Sequence, residues 1–356
     1  MLNTEENVEK LEREFIIKEY NFESCLEQIY YKYKLIFQIS IICLSLILII
    51  IPIPEKSKAQ ISSSVEPTEQ IKPVVPEIIS SSVEPTEQIK PVIPEITDLP
   101  KKINEPEPLV NLYIITHKDF SNNVITNPAY KILCDKRTQL TKNYNLEIIE
   151  TYKDNILYPK IRGYCEGSKI YYIWKLYKEG IITSKYVGFF HYRRIFPFKN
   201  NIPNLDQLFS KYDVIVREKT HHGRSNYKHY ESEHLIRFLD ESINIIKEKY
   251  PEYYDDAKKY LNKEWSNYCN IFIAKKDDFI KWGEFVFGVL FELDRRFNLN
   301  TDDDIKKFVI KIANESKKTI NVDYQVRQEG FAMERIGNIF YDHHWKKRYE
   351  LRTVSI

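Results

Sequence analysis

Residues 191–194 read His-Tyr-Arg-Arg and follow directly on YVGFF, an apolar, aromatic-rich run at 186–190. A run of that length predicts a buried strand, so these four polar residues stand at its carboxyl end. In an open α/β sheet that is where ligands bind. Two adjacent guanidiniums can hold a diphosphate in fork geometry and keep their charge at any working pH. His191 and Tyr192 add further donors. When a diphosphate leaves in a group transfer, negative charge builds up on it, and a metal ion or Arg/Lys must stabilise that charge. His191, Tyr192, Arg193 and Arg194 are therefore candidate anion-binding residues.

Other clusters carry weaker signals. His221, His222, His229, His234 and the triplet Asp342-His343-His344 include metal-ligating types. The pair 229/234 is spaced i,i+5, whereas i,i+4 would place two ligands on one helical face. No D-x-D motif indicates Mn²⁺ or Mg²⁺, and no metal ligand set is assigned. Asp342-His343-His344 lacks the companion motifs of a phosphoesterase. Cys134, Cys165 and Cys269 show no C-x-x-C spacing, so neither a zinc site nor a disulfide framework is expected.

Composition narrows the classes further. The chain has 53 Lys+Arg against 51 Asp+Glu, so no global basic field favours nucleic acid. Its nine glycines all lie at or after Gly163. No window fits G-x-G-x-x-G or G-x-x-x-x-G-K-[ST], which excludes the usual dinucleotide fingerprint and the P-loop. A phosphate-binding site here must rely on side chains.

Four regions are expected. Residues 1–34 form a polar tail. Residues 35–53 (LIFQISIICLSLILIIIPI) carry no charge over 19 positions, close to the ~20 residues that cross a bilayer core. Tyr30, Tyr31 and Tyr33 precede the run like an interfacial belt. Lys18, Lys32 and Lys34 before it, against Lys56 and Lys58 after it, lean toward a cytosolic N-terminus. The expectation is a single-pass type II anchor in a lipid bilayer, with the C-terminal part lumenal or extracellular. Residues 54–108 read as a disordered stalk. They contain an 18-residue repeat (62–79 and 80–97, two differences) and ten of the 16 prolines, and such a segment favours extended polyproline II. Residues 109–356 read as one α/β domain. Strands are expected at 109–116, 186–190, 213–216 and 270–274, and helices at 168–179, 234–249, 255–263, 279–297 and 331–340. Alternating strands and helices imply a mostly parallel central sheet.

The string YVGFFHYRRIF (186–196) is similar to the signature Y-x-G-x-x-H-Y-R-R-x-F of the domain-of-unknown-function 4422 family. Further matches follow in order. CEGSKIYYIWK (165–175) resembles the family's C-E-L-T-x-x-Y-W-x-W-K helix, with Gly167-Ser168 in place of L-T and Tyr171-Tyr172 in place of Y-W. Tyr230 and His234 fit Y-x-x-x-H. Asn270 opens a segment similar to N-M-F-I-M-K that lacks both methionines. Tyr324, Arg327, Gly330, Phe331, Glu334 and Arg335 fit Y-x-x-R-x-x-G-F-x-x-E-R. The resemblance spans roughly 111–345.

Members of that family are described as glycosyltransferase-like proteins of capsular or exopolysaccharide synthesis, similar to the GT-A class of nucleotide-sugar transferases. The resemblance thus implies a GT-A-like domain with hexosyltransferase-like activity, a nucleotide-sugar donor and a glycan or glycoprotein acceptor. It adds Tyr230, His234, Asn270, Arg327 and Arg335 to the substrate-binding candidates. Arg193 and Arg194 take the place where a D-x-D would follow the central strand, so they replace or supplement a divalent metal. An inverting transferase needs a general base near the acceptor hydroxyl, and a retaining one needs a different arrangement. Glu334 is the first candidate, and it reads equally as an ion-pair partner of Arg327 or Arg335. Glu166, opening a helix, is the second, and Asp323 the third. The alternative is a carbohydrate-binding or attachment protein that keeps the fold without turnover.

Overall fold

The run VNLYII forms the first strand, β1 (Val110–Ile115), with every residue buried. Its side chains alternate between two cores, as the period of two requires. Leu112 and Ile114 pack with Ile132, Phe190 and Ile273 on one face of the sheet. Tyr113 and Ile115 pack with Ile173, Phe189 and Trp282 on the other. The computed structural model describes residues 108–121, 125–151 and 155–356. The expected tail, anchor and all but the last residue of the stalk lie outside the described residues. Among the described residues, no helix is long and apolar enough to cross a membrane.

After β1 come β2 (Tyr130–Asp135) and β3 (Glu147–Thr151), then a short helix α1 (Ile161–Tyr164) and α2 (Gly167–Lys178). β4 (Tyr186–His191), α3 (Leu205–Phe209) and β5 (Val214–Arg217) follow, with a small ribbon made by β6 (Thr220–His221). Next are α4 (Asn226–Glu233), α5 (Ile236–Lys249), α6 (Tyr254–Asn262) and β7 (Trp265–Ser266), the partner of β6. β8 (Phe272–Lys275) leads without a loop into α7 (Lys276–Phe297). The chain ends with α8 (Asp302–Glu315), α9 (Val322–Gln325), α10 (Gln328–His343) and β9 (Arg348–Leu351).

The main sheet has the order β3-β2-β1-β4-β8-β5-β9. Every pairing is parallel except those of β8, which runs antiparallel to both β4 and β5. The domain is thus mixed α/β with a mostly parallel central sheet. Three expectations are corrected in detail. The segment expected to be a strand from 270 begins pairing at Phe272, because Cys269 and Asn270 take left-handed conformations (φ 71° and 47°). The helix expected over 234–249 starts at Ile236, since His234 is extended (φ −133°, ψ −176°) and separates α4 from α5. The strands β2, β3 and β9 and the helix α8 were not assigned from the sequence.

Local signals explain the helices that support the site. Thr301 and Asp304 form a reciprocal capping box that starts α8. α7 ends on left-handed Asn298 (φ 55°), a residue that tolerates that conformation. α7 lies against α2 at Gly283, where a Cβ would overlap the Trp174 ring. There the Trp174 indole N–H donates to the Ile280 carbonyl at 2.9 Å. This close contact fixes α2, whose first turn carries Glu166 at its N-cap.

Candidate functional site

Two adjoining clefts open at the carboxyl ends of β1 and β4, about 290 Å³ and 170 Å³ in volume. They share Cys165, Glu166, His191, Arg193 and Arg327. The larger extends over His117, Asp135, Arg162, Lys169 and Asp323. The smaller extends over Arg194, Cys269, Phe331 and Glu334. A roomier open hollow of about 450 Å³ lies at residues 310–322. It offers two lysines and an asparagine but no carboxylate or histidine, so it has no comparable chemistry.

Glu166 and Glu334 are 168 positions apart in sequence and meet in this cleft through one short loop. The Cys269 backbone N–H donates to Glu334 Oε1 at 2.9 Å, and the Asn270 amide donates to Glu166 Oε1 at 3.1 Å. α10 anchors the loop: Asn338 accepts from the Asn267 N–H (3.0 Å) and donates to the Asn267 carbonyl (2.8 Å). Two successive non-glycine residues at positive φ cost on the order of 1–3 kcal/mol each, and here they aim one donor at each carboxylate. Cys165, before Glu166, is a third such residue (φ 52°, ψ −123°). Gly330 permits that turn, since a Cβ on it would sit 3.2 Å from the Cys165 sulfur.

The environments of the two carboxylates differ. Glu334 Oε2 pairs with Arg335 at 2.9 Å, and the Arg335 guanidinium is itself buried. The ion-pair reading of Glu334 therefore holds, with Arg335 as the partner. Among the described residues, Glu166 has the amide of Asn270 as its one side-chain hydrogen-bond partner. Burial, followed by the negative charge of Glu334, pushes its carboxyl up to about 7. Asp323 stands at the exposed rim of the larger cleft, 3.3 Å from Arg162.

The HYRR residues diverge. His191 accepts the Arg193 N–H at Nδ1 (3.3 Å), so its ring proton sits on Nε2 and can be donated. Burial, then the charges of Arg193, His117 and Arg194, push its pKa down to about 3, so it remains a neutral donor. Tyr192 is buried and packs against His117 and Phe120 instead of lining either cleft. Arg193 lies over the Tyr192 ring at 5.3 Å, whereas Arg194 reaches the Cys269 sulfur at 3.5 Å. The two sit on a tight turn, in which the Arg194 N–H donates to the His191 carbonyl at 2.7 Å, and their guanidiniums go to different neighbours, so they do not form a single fork. Arg327 enters from the α9–α10 junction and lies over Tyr324 at 5.5 Å. Among the described residues, Arg193, Arg194 and Arg327 have no carboxylate within ion-pair distance, while Lys169 is committed to Asp135 at 2.9 Å. Burial raises the Asp135 carboxyl, but Lys169 outweighs it and holds the group below its usual range.

Tyr230 and His234 lie outside the lining of both clefts. The Tyr230 hydroxyl donates to Gln328 at 3.3 Å, and His234 stacks on Phe331 at 3.8 Å. They shape the wall behind Phe331. His117, Asp135, Lys169, Cys165 and Cys269 also line the site, with Arg217 behind Cys269, and none of them belongs to the motif-based candidate set. The T-H-K-D that ends the first strand was the available signal for His117. The others needed the positions of β2, β5 and the 267–270 loop. Among the described residues, no group of three His, Cys, Asp or Glu is placed to hold a metal ion.

The sequence profile of the family described as "Domain of unknown function (DUF4422)" matches residues 111–316, more than half of the chain. The chain belongs to this family. No curated protein matches it. Among solved structures, the domain is similar to the apo structure of the bifunctional glycosyltransferase WbbM. That alignment has 23% identity and a TM-score of 0.49, covering 69% of this chain and 45% of that one. The chain therefore spans less than half the length of that protein.

Proposed function

We propose that the domain is a glycosyltransferase that moves a sugar from a nucleotide-diphosphate donor to a hydroxyl of a glycan or glycoprotein. The observation that carries this reading is the meeting, at the carboxyl ends of parallel strands, of two carboxylates in contrasting environments with three guanidiniums that lack carboxylate partners. Arg193 and Arg327, which border both clefts, hold the donor diphosphate, and the Nε2–H of His191 donates to the same group. As the bond from the anomeric carbon to the diphosphate breaks, the negative charge appears among these donors, where fixed positive groups stabilise it most. Side-chain cations in this role agree with the scarcity of glycine.

Glu166 is the better base of the two. A base works best with a pKa near the operating pH, and Glu166 is the carboxyl pushed up to about 7. It takes the proton of the acceptor hydroxyl as that oxygen bonds to the anomeric carbon. Glu334, already committed to Arg335 and the Cys269 N–H, contributes its fixed charge and thereby raises the proton affinity of Glu166. The uncharged run 35–53 supports a bilayer anchor, with the domain on the lumenal or extracellular side.

The test is a panel of nucleotide sugars incubated with the purified chain, scored for nucleoside-diphosphate release and for thermal stabilisation. Release that is lost in Glu166→Gln and weakened in Arg193→Gln supports the reading. Glycan binding without any nucleotide binding or release would support a non-catalytic carbohydrate-binding protein on the same fold.

A further inference from the structure

Arg217 ends β5 and Arg194 follows β4, two strands separated in the sheet by β8. Both guanidiniums converge on one atom: each NH1 lies 3.5 Å from the sulfur of Cys269. The two nitrogens are therefore within 7 Å of each other. Like charges placed this close favour an anion between them. Among the described residues, neither arginine has a carboxylate within ion-pair distance. The acidic residues nearest to Arg217 in strand register are taken, Glu218 by Arg352 and Glu350 by Lys219, each at 3.9 Å. Cys269 cannot serve, because burial pushes its thiol up to about 11 and it stays protonated. The carboxylate that accepts the Cys269 N–H, Glu334, is committed to Arg335.

The placement is rigid. Arg217 donates its backbone N–H to the Ile271 carbonyl at 3.1 Å, and its own carbonyl accepts from the Asn267 amide at 2.6 Å. The left-handed conformation of Cys269 (φ 71°) delivers its sulfur between the two arginines. Guanidiniums that meet at a neutral atom, the sulfur of a residue lining the cleft beside Glu334, are arranged for an oxyanion that bridges them.

We infer that Arg194 and Arg217 form a two-guanidinium oxyanion subsite at the Glu334 end of the smaller cleft, separate from the Arg193–Arg327 grip. The ligand chemistry is a phosphate or carboxylate group. It comes either from the donor diphosphate or from an acidic group on the acceptor. The inference rests on the transferase reading for its biological setting, but anion binding can be measured without turnover.

Calorimetric titration of inorganic pyrophosphate into the full chain tests it. Arg217→Gln and Arg194→Gln should each weaken binding about tenfold or more, because charge-assisted forks are the strong class of hydrogen bond. The double variant should lose less than the product of the two, since both side chains act on one anion. Arg217→Lys, which keeps the charge without the fork, should fall between wild type and Arg217→Gln. Arg194, exposed, provides the arm least exposed to folding defects, and melting without ligand checks each variant. Pyrophosphate binding that is indifferent to Arg194→Gln and Arg217→Lys would overturn the inference, as would no binding of pyrophosphate by wild type. If nucleoside diphosphates still bind with dependence on Arg193 and Arg327, only this inference falls. If they do not bind either, the transferase reading falls with it. Saturating nucleoside diphosphate that displaces pyrophosphate identifies the donor as the source. Arg217-dependent binding of glucuronate on top of the nucleotide identifies the acceptor.

Discussion

Replacing Glu166 with glutamine separates its chemical role from its structural cost. The folded chain raises this carboxyl from 4.5 to about 7, through burial first and the Glu334 charge second. The folded state thus holds the proton more tightly than the unfolded state. Stability therefore falls as pH rises from about 4.5 to 7; below that window there is no penalty, and above it the penalty is complete. At about 1.4 kcal/mol per pH unit, the rise corresponds to about 3 kcal/mol, an upper bound for a side chain that retains some solvent contact. Glutamine keeps an oxygen to accept from Asn270 and removes the charge. Glu166→Gln should therefore be more stable than wild type at pH 8, by up to about 3 kcal/mol, and nearly equal to it at pH 4.5. Urea unfolding at the two pH values measures this directly. The same variant should lose turnover by about 10²-fold or more, along with the acidic limb of the rate profile near pH 7. A variant no more stable than wild type at pH 8 would refute the electrostatic account, and one with full turnover would remove Glu166 as the base.

Asn270→Ala deletes the side-chain donor that favours ionised Glu166, so the acidic limb of the pH–rate profile should move upward by up to about one unit; an unmoved limb contradicts the assigned contact. Turnover should persist in EDTA, because arginines meet the diphosphate. Complete loss on chelation, restored by Mn²⁺, would count against an arginine-only site. Gly283→Ala should destabilise the fold by about 1–3 kcal/mol, because overlap with Trp174 outweighs the helical gain of about 1 kcal/mol; a melting temperature equal to wild type would contradict that packing. Deleting residues 35–53 should move the chain from the membrane fraction to the soluble one, and retention in membranes would argue against the anchor.

Local pattern made some elements legible and left others hidden. β1 and β4 are apolar on both faces and bounded by polar residues, so they stood out. β3 (EIIET) is an exposed edge strand with three acidic or hydroxyl side chains, and its pattern resembles a solvated loop. α8 carries a capping box and an apolar stripe, both legible in the sequence. The antiparallel direction of β8 is written in no local feature. It shows only in the pairing of β8 with β4 and β5.

The sequence alone determined the mixed α/β class, the placement of HYRR at a strand's carboxyl end, and the need for side chains in place of glycine loops to hold phosphate. These depend on periodicity and residue type, which are local properties. Tertiary structure decided that Glu166 and Glu334 share a cleft, that Arg335 engages Glu334, that Arg193 and Arg194 part company, and that Arg217 joins Arg194 at Cys269. The Glu334–Arg335 pair joins adjacent residues, and structure only chose it over Arg327; the others depend on the 267–270 loop, the turn at Cys165 and the order of the strands. A carboxyl's proton affinity and a guanidinium's partner are set by neighbours in space: Glu166 meets Glu334 from 168 positions away, and Arg217 meets Cys269 from 52.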